Sequence, residues 1–440
     1  MVSNRNTASS RRLHLNAVIY GLGSHEAAWR MPESDPYASM TLDYWIDIAK
    51  RAEMSGFDAL FLGDVLALQD EADKHLSSAM DPLVLLSALA AVTTQIGLIG
   101  TASTTFDHPF HLARRFGSLD HISKGRAGWN IVTSSNELEA HNFGLASMPD
   151  HQERYARADD VVTAVKALWQ SWEVNARLAD KINGRYFDNA AVHQVDHTGP
   201  YVHTRGPLNI PRPPQGHPVL AQAGSSPAGK AFAARHADIV FTVQSSLDEA
   251  RTFYAEMKRL AAECGRNPGH LLVMPGIIPI TASTKKHAED RINAMNSFAV
   301  PEHLMAKLSS FLGRDLSGLA LDAPFPTELL NAKGSQASRS RVDALLGIAR
   351  RDRLSLRQLL MRLASGRGHL LAVGTGSDIA SIMEEWFETG AADGFNVMCP
   401  VMPRDLQIFS DLVIPELEKR GIRGPKSSDM LRERLGLPVI

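Results

Sequence analysis

The chain has 440 residues, 44% of them hydrophobic and 21% charged, and 46 Lys+Arg against 48 Asp+Glu leave a formal net charge of −2. Such a composition supplies a large core and excludes a disordered chain, and the balanced charge excludes a general attraction to nucleic acid or an anionic membrane. No apolar run approaches the roughly 18 residues of a membrane span. The polar opening to Arg12 carries no apolar leader core, and Cys264 and Cys399 alone make neither a disulfide framework nor a cysteine-ligated zinc site. A cytoplasmic globular protein is expected.

In chain order, residues 13–19 read as a first strand and 44–54 as a helix with Trp45, Ile48, Ala49 and Ala52 on one face. A strand at 59–62 is followed by a helix over 81–92, where Asp81 caps and Pro82 takes the first helical position. Strand 96–101, helix 111–121, strand 127–132 and a long helix from about 150 to 172 come next. A Gly/Pro-rich passage, 199–218, crosses to a strand at 219–221, a helix at 229–236 and a strand at 239–242. A capping box of Ser246 and Glu249 opens a helix to Cys264, followed by strand 271–278. The last strand is 395–399, with a helix over 406–419.

Eight strands alternating with helices force parallel pairing and right-handed crossovers, and over this length they favour an α/β fold of the (β/α)8 TIM-barrel type above an open doubly wound sheet. Residues 1–440 then form a single barrel domain. The helix-rich stretch 281–368, with breakers at 322–326 and a polar run at 333–341, fits no single βα unit; it reads as an insertion before the last strand and as an active-site lid.

In such a barrel, polar residues just past a strand's C-terminal end point into the mouth. Asp64 follows the second strand, Ser103, Thr104 and Thr105 the third, and Asn130 lies in the fourth. Each alone reads equally as a turn or cap residue; their recurrence at successive strand ends points to a site. The run Gln222-Ala223-Gly224-Ser225-Ser226-Pro227-Ala228-Gly229 joins a strand to a helix. It is either an ordinary helix cap or a phosphate cradle of backbone N–H groups and hydroxyls.

His151 and Tyr155, four apart, share a helical face with Arg154 between them, either as a surface pair or as part of that cradle. His25 follows the first strand and is a candidate acid–base group. His193 and His197 are spaced i,i+4 but lie among Gly, Pro and Val, so no metal is expected there. Gly21-Leu22-Gly23 and Gly374-Thr375-Gly376 lack the third glycine of a dinucleotide fingerprint. Arg339, Arg341, Arg350, Arg351, Arg353, Arg357 and Arg362 read as a solvated helix face, with attraction of an anionic substrate as the second reading.

Several stretches carry a resemblance: Phe57-Asp58-Ala59-Leu60-Phe61-Leu62-Gly63-Asp64, Ser103-Thr104-Thr105-Phe106, Leu119-Asp120-His121-Ile122-Ser123-Lys124-Gly125-Arg126 and residues 128–134. Residues 151–155, 222–226, 229–236 and Ala392-Asp393-Gly394-Phe395-Asn396 add to it, as does the tail 431–438. Together they resemble the bacterial-luciferase-like flavin-dependent monooxygenases, in the group of nitrilotriacetate, EDTA, dibenzothiophene-sulfone and long-chain-alkane monooxygenases.

The resemblance implies a barrel that takes reduced FMN from a separate NAD(P)H-dependent flavin reductase and oxygenates a small organic substrate with O2 through a C4a-(hydro)peroxyflavin. It implies that Asp64, Ser103 or Thr104, and Asn130 hold the ring and ribityl region, and that His151, Tyr155, Ser225 and Ser226 hold the phosphate end. His25 matches a histidine near the reactive face of the flavin, and His369 a second. Self-association into dimers or tetramers is implied as well. Two departures touch the pocket wall: a short stretch between Asp64 and Asp81, and Gly63 where the group has Ala. A deazaflavin (F420)-dependent oxidoreductase and a non-catalytic flavin-binding barrel are the alternatives on the same fold.

Overall fold

The computed structural model describes residues 11–68, 80–326, 328–329, 339–424 and 428–440. Its first half alternates β1 (His14–Ile19), α1 (Leu42–Met54), β2 (Ala59–Leu62), α2 (Pro82–Ala90), β3 (Gly97–Ser103), α3 (Pro109–Ser123), β4 (Ala127–Val132) and α4 (His151–Trp169). The second continues with β5 (Val219–Gln222), α5 (Pro227–His236), β6 (Ile239–Thr242), α6 (Leu247–Glu263) and β7 (Leu272–Thr281). Helices α7 (Lys285–Ser297), α8 (Pro301–Leu312), α9 (Arg339–Asp352) and α10 (Leu356–Gly366) then precede β8 (Leu370–Gly374), α11 (Gly376–Glu388), β9 (Gly394–Val397) and α12 (Arg404–Leu412).

All neighbours in the sheet are parallel. The ring runs β1 to β7 in order and closes through β9, which pairs with β7 on one side and β1 on the other. These are the eight strands expected from the sequence. β8 is additional: it adds only to the far half of β7, Ile277 opposite Leu370 through Thr281 opposite Gly374, and stands outside the ring.

The pleat sorts the side chains. Leu13, Leu15, Ala17, Leu60 and Leu98 pack outward against the helices, while Val18, Phe61, Ile99, Ala221, Phe241 and Met274 fill the interior. Asn16 on β1 and Asn396 on β9 pair inside the ring, Asn16 Nδ2 donating to Asn396 Oδ1 at 3.1 Å.

The Gly/Pro-rich crossing between α4 and β5 carries two short antiparallel pairs, Arg177–Asp180 with Arg185–Phe187 and His197–Thr198 with His203–Thr204. At Ser246, half of the expected box forms: its hydroxyl accepts from the Glu249 N–H, while the Glu249 carboxylate meets Ser245 Oγ at 3.2 Å. The expected helix over 406–419 is two helices, broken where Pro415 opens the second, Ile414–Lys419.

The C-terminal tail closes the end of the ring opposite the mouth. Leu431, Leu435 and Leu437 join the interior cluster, and Arg432 reaches buried Asp238 through two hydrogen bonds, 2.8 and 3.2 Å. Burial weighs against the Asp238 carboxylate, but Arg432 dominates and holds it below the usual range. Removing one partner strands a buried charge. Arg432→Ala is therefore expected to lower unfolding free energy by about 3–5 kcal/mol, read from chemical denaturation. The double variant with Asp238→Ala should lose less, and a loss below about 1 kcal/mol in the single variant, the size of a surface pair, would contradict this role.

Between β7 and β8, the helices α8, α9 and α10 build a small core of their own from Leu304, Leu308, Leu345, Leu346, Leu359 and Leu363. The polar run 333–338 lies outside the described residues. Among the described residues no helix is long and apolar enough to cross a membrane.

Candidate functional site: the mouth of the barrel

The strand ends deliver the sequence-nominated residues to one rim. Asn130 sits on β4 opposite Thr101 of β3 and Ala221 of β5. Its Nδ2 donates to Thr101 Oγ1 at 2.8 Å, and its Oδ1 is sealed from solvent with no donor. Ser103 ends β3, with its hydroxyl 3.0 Å from Ser134 Oγ and accepting from the Thr105 N–H. Thr104 turns its hydroxyl back to donate to the Val132 carbonyl, and Thr105 donates to that of Thr133. Part of the hydroxyl set therefore also fixes the β3–β4 loops.

Asp64, half-buried after β2, accepts from the Val65 N–H at 2.9 Å. Burial, together with the Asp81 and Glu139 carboxylates, pushes it up to about 6. The stretch 69–79, where the sequence departs from the group's pattern, lies outside the described residues.

His151, Tyr155 and the loop after β5 come together. Ser226 caps α5, its Oγ accepting from the Gly229 N–H at 3.1 Å, with Pro227 at the first helical position. His151 Nε2 lies 3.3 Å from the same hydroxyl, and its ring is 4.9 Å from that of Tyr155. The Tyr155 ring stands edge-on to Phe232 of α5, and Gln222 Nε2 donates to its Oη at 3.4 Å.

The two glycines of the loop make this possible. A Cβ at Gly224 would lie 2.7 Å from Tyr155 Oη, and one at Gly229 2.9 Å from it and 3.0 Å from the Gly224 Cα. Ser225 is half-buried between them. His151 and Tyr155 thus pack against the loop after β5 and the start of α5 rather than as an isolated surface pair. Beside them Arg154 is buried, with no partner at Nε and its pKa lowered by that burial.

Both candidate histidines are buried and neutral. His25 Nδ1 accepts from the Ala27 N–H at 3.1 Å, so Nε2 carries the proton and donates to Asn296 Oδ1, also at 3.1 Å. Burial lowers its pKa, opposed by the Asn296 bond. His369 precedes β8, not the last strand of the ring. It packs where a Cβ at Gly276 would strike its ring, 5.6 Å from Phe241, and its Nδ1 has no partner. Burial, with Arg341 and Arg367 nearby, pushes it down to about 3.

Asn296, on α7, was not nominated from the sequence; only its position in the expected lid pointed toward the mouth. Gly23 serves close packing, since a Cβ there would collide with the Pro400 carbonyl. His193 and His197 lie apart from this site and pair with Glu173 and Asp160 at 2.8 and 2.7 Å.

The mouth fits a flavin mononucleotide. Asn130 Oδ1 and Gln222 Oε1 are buried acceptors without donors, and an unfilled acceptor of this kind is costly unless a ligand supplies one. The isoalloxazine N–H and the ribityl hydroxyls are donors of the required type. The loop 222–229 presents small residues, hydroxyls and a helix N-terminus to a phosphate.

Residues 22–393 match the family described as luciferase-like monooxygenase, and the chain belongs to that family. It is 44% identical over 433 residues to N-acetyl-S-(2-succino)cysteine monooxygenase of Bacillus subtilis (strain 168), covering 98% of each chain. It is 41% identical to nitrilotriacetate monooxygenase component A of Aminobacter aminovorans, covering 98% of this chain and 97% of that one. A riboflavin lyase solved with modified FMN and riboflavin superposes with a TM-score of 0.86 at 32% identity, covering 98% of this chain and 97% of that one. The chain is an FMN-dependent monooxygenase, and the deazaflavin reading is set aside.

Proposed function

We propose that this chain is the oxygenating half of a two-component system, in which a separate NAD(P)H-dependent flavin reductase supplies reduced FMN and the barrel uses it with O2 on a small organic substrate. The observation that carries this reading is the pair of buried, unfilled acceptors, Asn130 Oδ1 and Gln222 Oε1, beside the glycine-lined loop. The designation of the Aminobacter relative as a component A supports the division of labour.

In this reading Asp64, Ser103, Thr104 and Asn130 hold the ring and ribityl chain, and His151, Tyr155, Ser225 and Ser226 hold the phosphate. Bound reduced FMN supplies the activation of O2 and the oxygen transfer. The protein's share is to orient the ring, exclude water and manage protons. Segment 281–368 is the lid; its ties to the loop after β1 are Asn296 on His25, and Lys307 and Arg367 on Glu26. His25, neutral with its Nε2 proton held on Asn296 Oδ1, would be the group that moves a proton during oxygen transfer, with Asn296 orienting its ring. His369 stays neutral at neutral pH. The enzyme works in the cytoplasm, where NAD(P)H is available, as a homodimer or homotetramer.

His25→Ala is expected to keep FMN affinity within about threefold while cutting product per NADH by about 10²-fold, the usual size of a lost acid–base group, with hydrogen peroxide rising to match. Asn296→Ala should shift the same ratio less. Product yield unchanged in His25→Ala would remove the histidine from the chemistry.

A further inference from the structure

The arginines read from the sequence as one solvated face divide in the structure. Arg350, Arg351, Arg353 and Arg357 are exposed. Arg341 lies nine residues before Arg350, half a turn round the helix, and shares its face with Leu345 and Ile348, both fully buried. Its Nε is shut from solvent without a partner, and among the described residues its guanidinium makes no hydrogen bond or ion pair. Burial is the largest influence on that guanidinium, although part of the residue stays accessible.

The titratable groups acting on Arg341 are the Tyr20 phenol, Arg367 and Glu26, and Gly368, the residue before His369, packs against its backbone. Glu26 is already engaged twice, by Lys307 Nζ at 2.6 Å and by Arg367 Nη2 at 3.0 Å. Arg367 also lies over the Tyr20 ring at 5.2 Å, and its Nε is a second buried donor without an acceptor. Among the described residues, three cations, Lys307, Arg341 and Arg367, thus face one carboxylate. Two unbalanced positive charges in a sheltered place are expensive unless an anion completes them.

The cluster is not placed for the flavin phosphate. Glu26 and Tyr20 follow β1, four strands round an eight-stranded ring from the loop after β5, hence on the opposite side of the mouth. We propose that this cluster is a substrate-recognition site, that Arg341 receives a carboxylate of the substrate, and that the chain oxygenates small organic acids rather than neutral sulfides, sulfones or hydrocarbons. The guanidinium is suited to this, since its planar fork meets a carboxylate through two parallel bonds. The inference rests on the oxygenase reading for the fate of the bound acid, but not for its binding.

The test is calorimetric titration of propane-1,2,3-tricarboxylate, a redox-inert acid, into the FMN-loaded protein in the dark without reductase. Saturable binding is expected, weakened at least tenfold in Arg341→Gln and less in Arg341→Lys, with FMN affinity unchanged in both. No binding to the unmodified protein, or equal binding in Arg341→Gln, would overturn the site. A parallel loss of FMN affinity would assign Arg341 to the cofactor and overturn it as well.

The same proteins are then supplied with reduced flavin and either dibenzothiophene sulfone or an S-(2-succino) thioether. Oxygenation of the sulfone that is indifferent to Arg341→Gln, with none of the acid, would overturn the acid specificity and leave the oxygenase standing. Arg341-dependent binding without any oxygen transfer would do the reverse.

Discussion

Gly229→Ala is expected to leave a folded protein that binds FMN about 100-fold more weakly, a loss of about 2.7 kcal/mol. Position 229 lies in the first turn of α5 with its N–H on Ser226 Oγ, and Ala is a better helix former than Gly. Thermal stability should therefore hold or rise slightly. The added methyl, however, stands 2.9 Å from Tyr155 Oη and 3.0 Å from the Gly224 Cα, so the loop must move away from the tyrosine. Tyr155→Phe alone should cost about tenfold, the size of one hydrogen bond. Because the Phe ring lacks the clashing oxygen, the double variant should bind FMN better than the product of the single losses implies, a coupling that a mutant cycle reads directly. FMN titration by flavin fluorescence measures all three, and unchanged affinity in Gly229→Ala would move the phosphate site away from this loop.

Stability is expected to fall steeply as pH drops from about 6.5 toward 4. An unfolded histidine takes up its proton near 6.5, but burial holds His14 down to about 4, and His217 and His369 down to about 3. Each therefore stays neutral in the folded protein while its unfolded counterpart is charged, so acid favours the unfolded chain. The stabilisation is complete above about pH 6.5 and is lost downward through that window. At pH 4 each of the three contributes a loss on the order of 3 kcal/mol. Together that is comparable with the whole stability of a typical domain, about 5–15 kcal/mol.

The buried carboxylates Asp58 and Asp238, held low by Arg423 and Arg432, add a further loss only at still lower pH. Urea midpoints at pH 7.5, 6 and 5 should decline in that order, and His217→Gln should flatten the decline. A midpoint constant from pH 7.5 to 5 would contradict it.

The ring and much of its rim were legible because βα alternation has a strong local signature. β1 to β7 and β9 all carry apolar runs bounded by turn residues, and the nominated polar groups fall at their ends. The i,i+4 spacing of His151 and Tyr155 and the glycines at 224 and 229 allowed a helix and a loop to meet, although that spacing alone more often marks a surface pair. β8 was missed because Leu-Leu-Ala-Val-Gly at 370–374 follows directly on the insertion, and pairing with half of β7 leaves no local trace. Asn296 was hidden for a related reason: the placing of α7 over His25 is a tertiary fact. Arg341 was readable in principle, since its phase with Leu345 and Ile348 already set it against Arg350, but the density of arginines around it suggested one exposed face.

Coupled turnover under ¹⁸O2 separates an oxygenase from a chain that only binds FMN. The protein is given FMN, an independent flavin reductase, NADH and a panel of organic acids, sulfides and sulfones, with products read by mass spectrometry and hydrogen peroxide measured in parallel. A product carrying one ¹⁸O atom, or a fragment from its cleavage, with peroxide falling in proportion, is the expected result. Peroxide alone across the panel, with no ¹⁸O in any organic product while FMN remains bound, would contradict the monooxygenase assignment.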